Sequence, residues 1–96
     1  MVYQDEEVVA FADIHPLAPV HLLIVPRRHI SSPAEVDKED AHLMGHLLAV
    51  ASELARQQGL AADGFRLVAN SGPNGGQEVY HLHFHLLGGR SLGRFV

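Results

Sequence analysis

The chain contains no cysteine. That excludes disulfide bonds and thiolate metal centres and fits a reducing compartment, so the cytoplasm is the expected location. Basic residues are few and scattered: seven lysines and arginines against eleven aspartates and glutamates leave a net charge of -4 with histidine neutral. Such a distribution offers no positive track for a phosphate backbone, and nucleic acid is not an expected partner. Long apolar runs are missing as well. Stretches such as residues 18–26 fall far short of a bilayer crossing, and no basic segment followed by an apolar one opens the chain. Neither a membrane span nor an export signal is therefore expected.

What is present is globular. Apolar residues make up 47% of the chain and charged residues 19%, a balance that folds rather than stays disordered. Its 96 residues amount to one domain without repeat or linker. So short a chain buries a modest share of its surface, which favours a partner subunit.

Residues 7–13 (EVVAFAD) and 20–25 (VHLLIV) have the β-branched, apolar character of strands, joined by the turn-forming HPLAP. Ser32, Pro33 and Glu35 predict a capping box and a short helical turn. A longer helix is expected from Asp37, with Glu39 and Asp40 in its first turn and Gly59 to end it. Leu43, Met44, Leu47, Leu48, Val50, Ala51, Leu54 and Ala55 form a wide apolar stripe on it, suited either to a generous core or to a second subunit. Residues 65–69 (FRLVA) predict a further strand, 70–77 (NSGPNGGQ) a loop, and 79–87 the last strand. The order of strands, helix, strands indicates an α+β domain on an antiparallel sheet.

The last strand carries the chemistry. In YHLHFHLLGG, residues 80–89, alternation sets His81, His83 and His85 on one side and Leu82, Phe84 and Leu86 on the other. A lone histidine on a strand is most often structural; three in register after a glycine-rich loop point to a site. Metal binding is a rival. His81 and His85 would lie roughly 13 Å apart between Cα atoms, too far to share one ion readily. Two of the three, with Asp13 or His21 as a third ligand, remain able to do so. An extended anion suits an imidazole row better, and Gly72, Gly75 and Gly76 suggest backbone N–H groups that approach phosphate.

These residues resemble the histidine-triad (HIT) superfamily, whose signature alternates histidine with apolar residues; HLHFHLL, residues 81–87, matches it throughout. The similarity to the Hint branch, the histidine-triad nucleotide-binding proteins, extends over FADIHPLAPVHLLIVPRRHIS (11–31) and GFRLVANSGPNGGQEVYHLHFHLLGGR (64–90). It implies a HIT-like fold of about five antiparallel strands, one long helix and a short capped turn, with the sheet extended across a homodimer. It implies a purine nucleotide phosphoramidase or nucleotidyl hydrolase, independent of metal and cofactor, that releases a nucleoside monophosphate such as AMP. The alternative is a nucleotide-binding regulator or scaffold with negligible turnover.

By the same resemblance, His83 is the nucleophile toward the α-phosphorus. A ring nitrogen of His83 donating to a backbone carbonyl would fix its tautomer. His85 donates to phosphate oxygens, and His81 and His21 position the site. Asn70, Gly76 and Gln77 lie near the phosphate, together with the backbone of Glu78; Asp13 accepts from the ribose; Phe11, Ile14 and Leu23 line the base pocket. His15, His29, His42 and His46 are expected to be structural or surface residues. The family's usual helix and extended segment ahead of the residues matching 2–11 are not in this sequence: either the chain is a shortened form or family variant, or its base pocket is more open. Arg94, in the tail 91–96, is a candidate contact with a neighbouring subunit's site.

Overall fold

The computed structural model describes residues 1–94. Its strands are β1 (Tyr3–Gln4), β2 (Val8–Ala12), β3 (Val20–Pro26), β4 (Phe65–Val68) and β5 (Phe84–Gly88), and its one α-helix is α1 (Ala41–Gln57). They form one five-stranded sheet in the order β1-β2-β3-β5-β4, with every pair antiparallel. Among the described residues no helix is long and apolar enough to cross a membrane.

Register decides which side chains share a face. Ala10 pairs with Ile24, which pairs with Phe84; Leu22 pairs with Leu86, which pairs with Leu67. These positions, even-numbered on β2, β3 and β5 and odd-numbered on β4, lie on the face toward α1. Val8, Ala10, Leu22, Ile24, Leu82 and Leu86 join Leu43, Leu47, Val50, Ala51, Leu54 and Ala55 in one buried cluster. Burying such a row is the main favourable contribution to folding, about 25 cal/mol for each Å² of apolar surface withdrawn from water. The opposite face carries two rows across the sheet, Phe11–Leu23–His85–Val68 and Asp13–His21–Leu87–Arg66. One side of the sheet is thus core and the other is open for a ligand.

Three local expectations are corrected. The last strand starts at Phe84 rather than Val79, so His81 and His83 precede it. Carried onward, the β3–β5 register would set Pro26 opposite Leu82, and proline has no N–H to give to a ladder. The Leu82 amide instead reaches Ile30 O at 2.7 Å. Alternation survives this break, since Leu82 is buried while His81 and His83 are half-buried on the other side.

The cap is the second correction: Pro33–Glu35 does form a 3₁₀ turn, but the Ser32 side chain makes no capping bond. The reciprocal cap sits at the next turn. There Asp37 accepts from the Glu39 N–H, and Asp40 accepts from the Asp37 N–H. These acidic side chains satisfy helix-start donors that would otherwise lack partners. The helix proper consequently begins at Ala41 rather than Asp37. Third, β1 is a strand that pattern alone did not reveal, being only two residues long.

Candidate active site

The four histidines of the site are placed by three different segments. His21 stands on β3, His85 on β5, and His81 and His83 on the stretch that enters β5. Their partners determine where the ring protons lie. His83 Nδ1 donates to the backbone carbonyl of His81 at 2.8 Å. A neutral ring then keeps a lone pair on Nε2, which makes it a nucleophile with a defined nitrogen. His81 Nε2 in turn donates to Pro26 O at 2.8 Å. That bond anchors the pre-strand segment to β3 where the ladder has ended.

His21 and His85 form a second ordered pair. The Leu17 backbone N–H donates to His21 Nδ1 at 3.1 Å, so that nitrogen is an acceptor and the ring proton belongs on Nε2. From Nε2 the proton points at His85 Nδ1, 2.9 Å away. His85 therefore keeps its own proton on Nε2, available to a phosphate oxygen. Asp13 Oδ2 lies 3.5 Å from His21 Nε2 and favours that arrangement. The His83 and His85 rings stand 4.9 Å apart between centroids, edge to face. Burial pushes the His85 pKa down, His83 and His21 add to the shift, and Asp13 opposes it. His85 is thereby held neutral, with one donor N–H.

The glycine-rich loop differs from expectation in its detail. Its N–H groups close the loop on itself: Gly72 N donates to Gln77 Oε1, Gly75 N to Gly72 O and Gly76 N to Pro73 O. The amides of these glycines are thus engaged within the loop rather than presented to an anion. Gln77 is the larger correction. It is only 7% exposed, and its side-chain amide donates to Ser31 O and Val79 O while its oxygen accepts from Gly72. Its polar atoms hold the loop in shape, leaving no free donor for a phosphate. Gly76 has a φ of +80°, a left-handed turn that favours glycine.

Two other donors are unengaged. Among the described residues, neither the Asn70 side chain nor the Glu78 backbone N–H makes a hydrogen bond. The Val68↔His85 register, carried two residues further, sets Asn70 across from His83. Asp13 accepts from the His15 N–H through Oδ1. Phe11 shares the row of Leu23 and His85 on the open face. Ile14, on the loop that follows Asp13, is 86% exposed and therefore reaches solvent rather than a core.

Sequence reasoning missed one neighbour. His29 Nδ1 lies 3.3 Å from His81 Nδ1, and since His81 donates through Nε2, His29 supplies the proton of this contact. No spacing rule links residues 52 apart. Arg94 is exposed.

Comparison with known proteins agrees with this architecture. A family model described as HIT domain matches residues 1–92. The chain belongs to the HIT domain family. This HIT domain is 50% identical over 93 residues to the purine nucleoside phosphoramidase of Escherichia coli strain K12, an alignment covering 97% of this chain and 78% of that protein. It superposes with a TM-score of 0.94 on a HIT family hydrolase from Legionella pneumophila, at 48% identity, covering 95% of this chain and 81% of the other. It is also 48% identical over 94 residues to the 14 kDa zinc-binding protein of Zea mays, covering 96% and 73% of the two chains. In this HIT domain Asp13, His21 and His85 each bring a ligand atom within 4.8 Å of the others. Within this group His21 Nε2 and His85 Nδ1 are hydrogen-bonded to each other.

Proposed function

We propose that this HIT domain is a purine nucleotide phosphoramidase, a hydrolase that cleaves the bond at an α-phosphate through a nucleotidyl-histidine intermediate. The observation that carries the reading is the His83 bond to the His81 carbonyl, which leaves Nε2 as the nucleophilic nitrogen. Attack by that nitrogen on phosphorus forms an N–P bond as the bond to the amine breaks, and the amine leaves with a proton. Water then attacks the same phosphorus, restores the free imidazole and releases the nucleoside monophosphate. Division into two displacements lowers each barrier.

The other residues stabilise and position. His85 Nε2–H donates to the phosphoryl oxygens as charge develops, in a site where fixed dipoles need little rearrangement. Asn70 Nδ2 and the Glu78 N–H, both uncommitted, donate to the phosphate as well. Asp13 Oδ2 receives the ribose hydroxyls, and Phe11, Ile14 and Leu23 meet the base. Gln77 and Gly76 shape the loop. The enzyme works in the cytoplasm as a single-domain homodimer, neither nucleic acid nor membrane being a partner. The sheet continues through the edge strand β4, where Phe65 is exposed, and the helices meet around Leu48, the exposed member of the apolar stripe.

The test is incubation with an adenosine phosphoramidate in EDTA. Chelator-resistant release of AMP is expected, with His83→Ala losing at least about 1,000-fold in kcat. Nucleotide binding without turnover would favour a regulatory role. Activity abolished by the chelator would favour a metal at Asp13, His21 and His85, the reading that their proximity supports.

A further inference from the structure

Arg90 lies beyond the last strand and outside the histidine cluster, yet its guanidinium is engaged at both ends. Nη2 donates to Leu17 O at 2.9 Å and Nη1 to Ser91 O at 2.9 Å. Leu17 is the residue whose N–H fixes the His21 tautomer. The two groups of Leu17 therefore connect a surface arginine to the proton order of the site. Its carbonyl is held by Arg90, and its amide holds His21.

A second feature presses the same loop from the same strand end. Gly89 has a φ of +98°, and a Cβ built there would lie 2.8 Å from Pro19 Cβ. Only a residue without a side chain lets the chain after β5 approach so near. Gly89 and Arg90 thus grip the 16–19 connection, one by close contact and the other by hydrogen bonding. Leu17 precedes β3, so apart from its bond to His21 the strand ladder does not hold that connection.

We infer that Gly89 and Arg90 form a clamp that positions Leu17 and so sets the tautomers of His21 and His85. Without it the Leu17 N–H withdraws, and His21 is free to carry its proton on Nδ1. Its Nε2 then presents a lone pair to His85 Nδ1, which must donate, and His85 Nε2 loses the proton meant for phosphate. A contact on the far side of the loop thereby reverses the hydrogen-bonding sense of the site. The inference rests on the phosphoramidase reading for its catalytic consequence, though not for its structural one. Arg90 is a positioning residue and touches no substrate.

The experiment uses the intact 15N-labelled protein and records histidine ring nitrogens by long-range proton correlation. In the wild type, His21 is expected to carry its proton on Nε2. Arg90→Ala and Gly89→Ala should each shift population toward the Nδ1 form. Both should also lower kcat on an adenosine phosphoramidate about tenfold, with KM changed by less than about twofold, a magnitude usual for residues that orient a catalytic group. Arg56→Ala, which removes an exposed helix arginine paired to Glu53, should change neither. Arg90 is exposed, so its variant folds even if the glycine substitution does not. An unchanged His21 tautomer in Arg90→Ala overturns the inference whatever the rate does. A shifted tautomer in a protein whose wild type turns over no phosphoramidate upholds the clamp and overturns the enzymatic reading instead.

Discussion

Single side chains in this protein act through which nitrogen carries the proton. Each site histidine has a partner that decides the matter: a carbonyl for His81 and His83, an amide for His21, and His21 itself for His85. His85 also has a pKa held below the ordinary 6.5 by burial and by its histidine neighbours. The unfolded chain therefore binds a proton at His85 where the folded chain does not. Stability is full above pH 6.5 and falls as pH drops through the window below it. NMR titration of His85 should give a midpoint below 6.5, and His85→Gln should remove this first stage of acid loss. The Asp5 carboxyl is held far below its usual value of 3.8, chiefly by the Tyr3 hydroxyl and then by the Glu7 N–H, His46 and the Val8 N–H. Its contribution is present above pH 3.8 and is lost as pH falls further. Urea unfolding from pH 7 down to about pH 2 should resolve the first stage and the onset of the second, with Asp5→Asn flattening the loss below pH 3.8.

Elements hold these residues by different means. Helix α1 secures the covered face of the sheet through Leu47, which is fully buried. Leu47→Ala should cost about 3 kcal/mol in denaturant unfolding. The loop after β4 is secured by Gln77. Gln77→Glu keeps an acceptor for Gly72 but loses the donations to Ser31 and Val79, and should destabilise by about 1–3 kcal/mol. Its sequence position suggested a phosphate contact; the burial that redirects its side chain depends on Ser31, a long-range neighbour that no local pattern shows. The helix, the two long strands and the alternation through residues 81–87 were legible because each repeats with its own period. The start of β5 was not, because it depends on Pro26 across the sheet. The Ser32 cap failed for a related reason: the motif was present, but Asp37 and Asp40 made the cap instead. His29 and Arg90 act at the site through contacts that only the folded chain creates.

The molecule as a whole separates packing from chemistry by the two faces of one sheet. The face toward α1 is apolar without exception among its buried strand positions, and the other gathers histidine, aspartate and a few half-buried apolar residues. A second copy joined through β4 and Leu48 should appear as a dimer in sedimentation at micromolar concentration, and a monomer there would contradict that assembly. The central claim concerns a single bond between one imidazole nitrogen and phosphorus. Acid-stable trapping is unsuited to phosphoramidates, so the direct measurement is a rapid base quench after mixing enzyme with an adenosine phosphoramidate labelled at phosphorus, followed by peptide mapping. The label is expected on Nε2 of His83, since Nδ1 is engaged by the His81 carbonyl. Label on His81 or His85, or its absence from the protein during demonstrated turnover, would contradict the account.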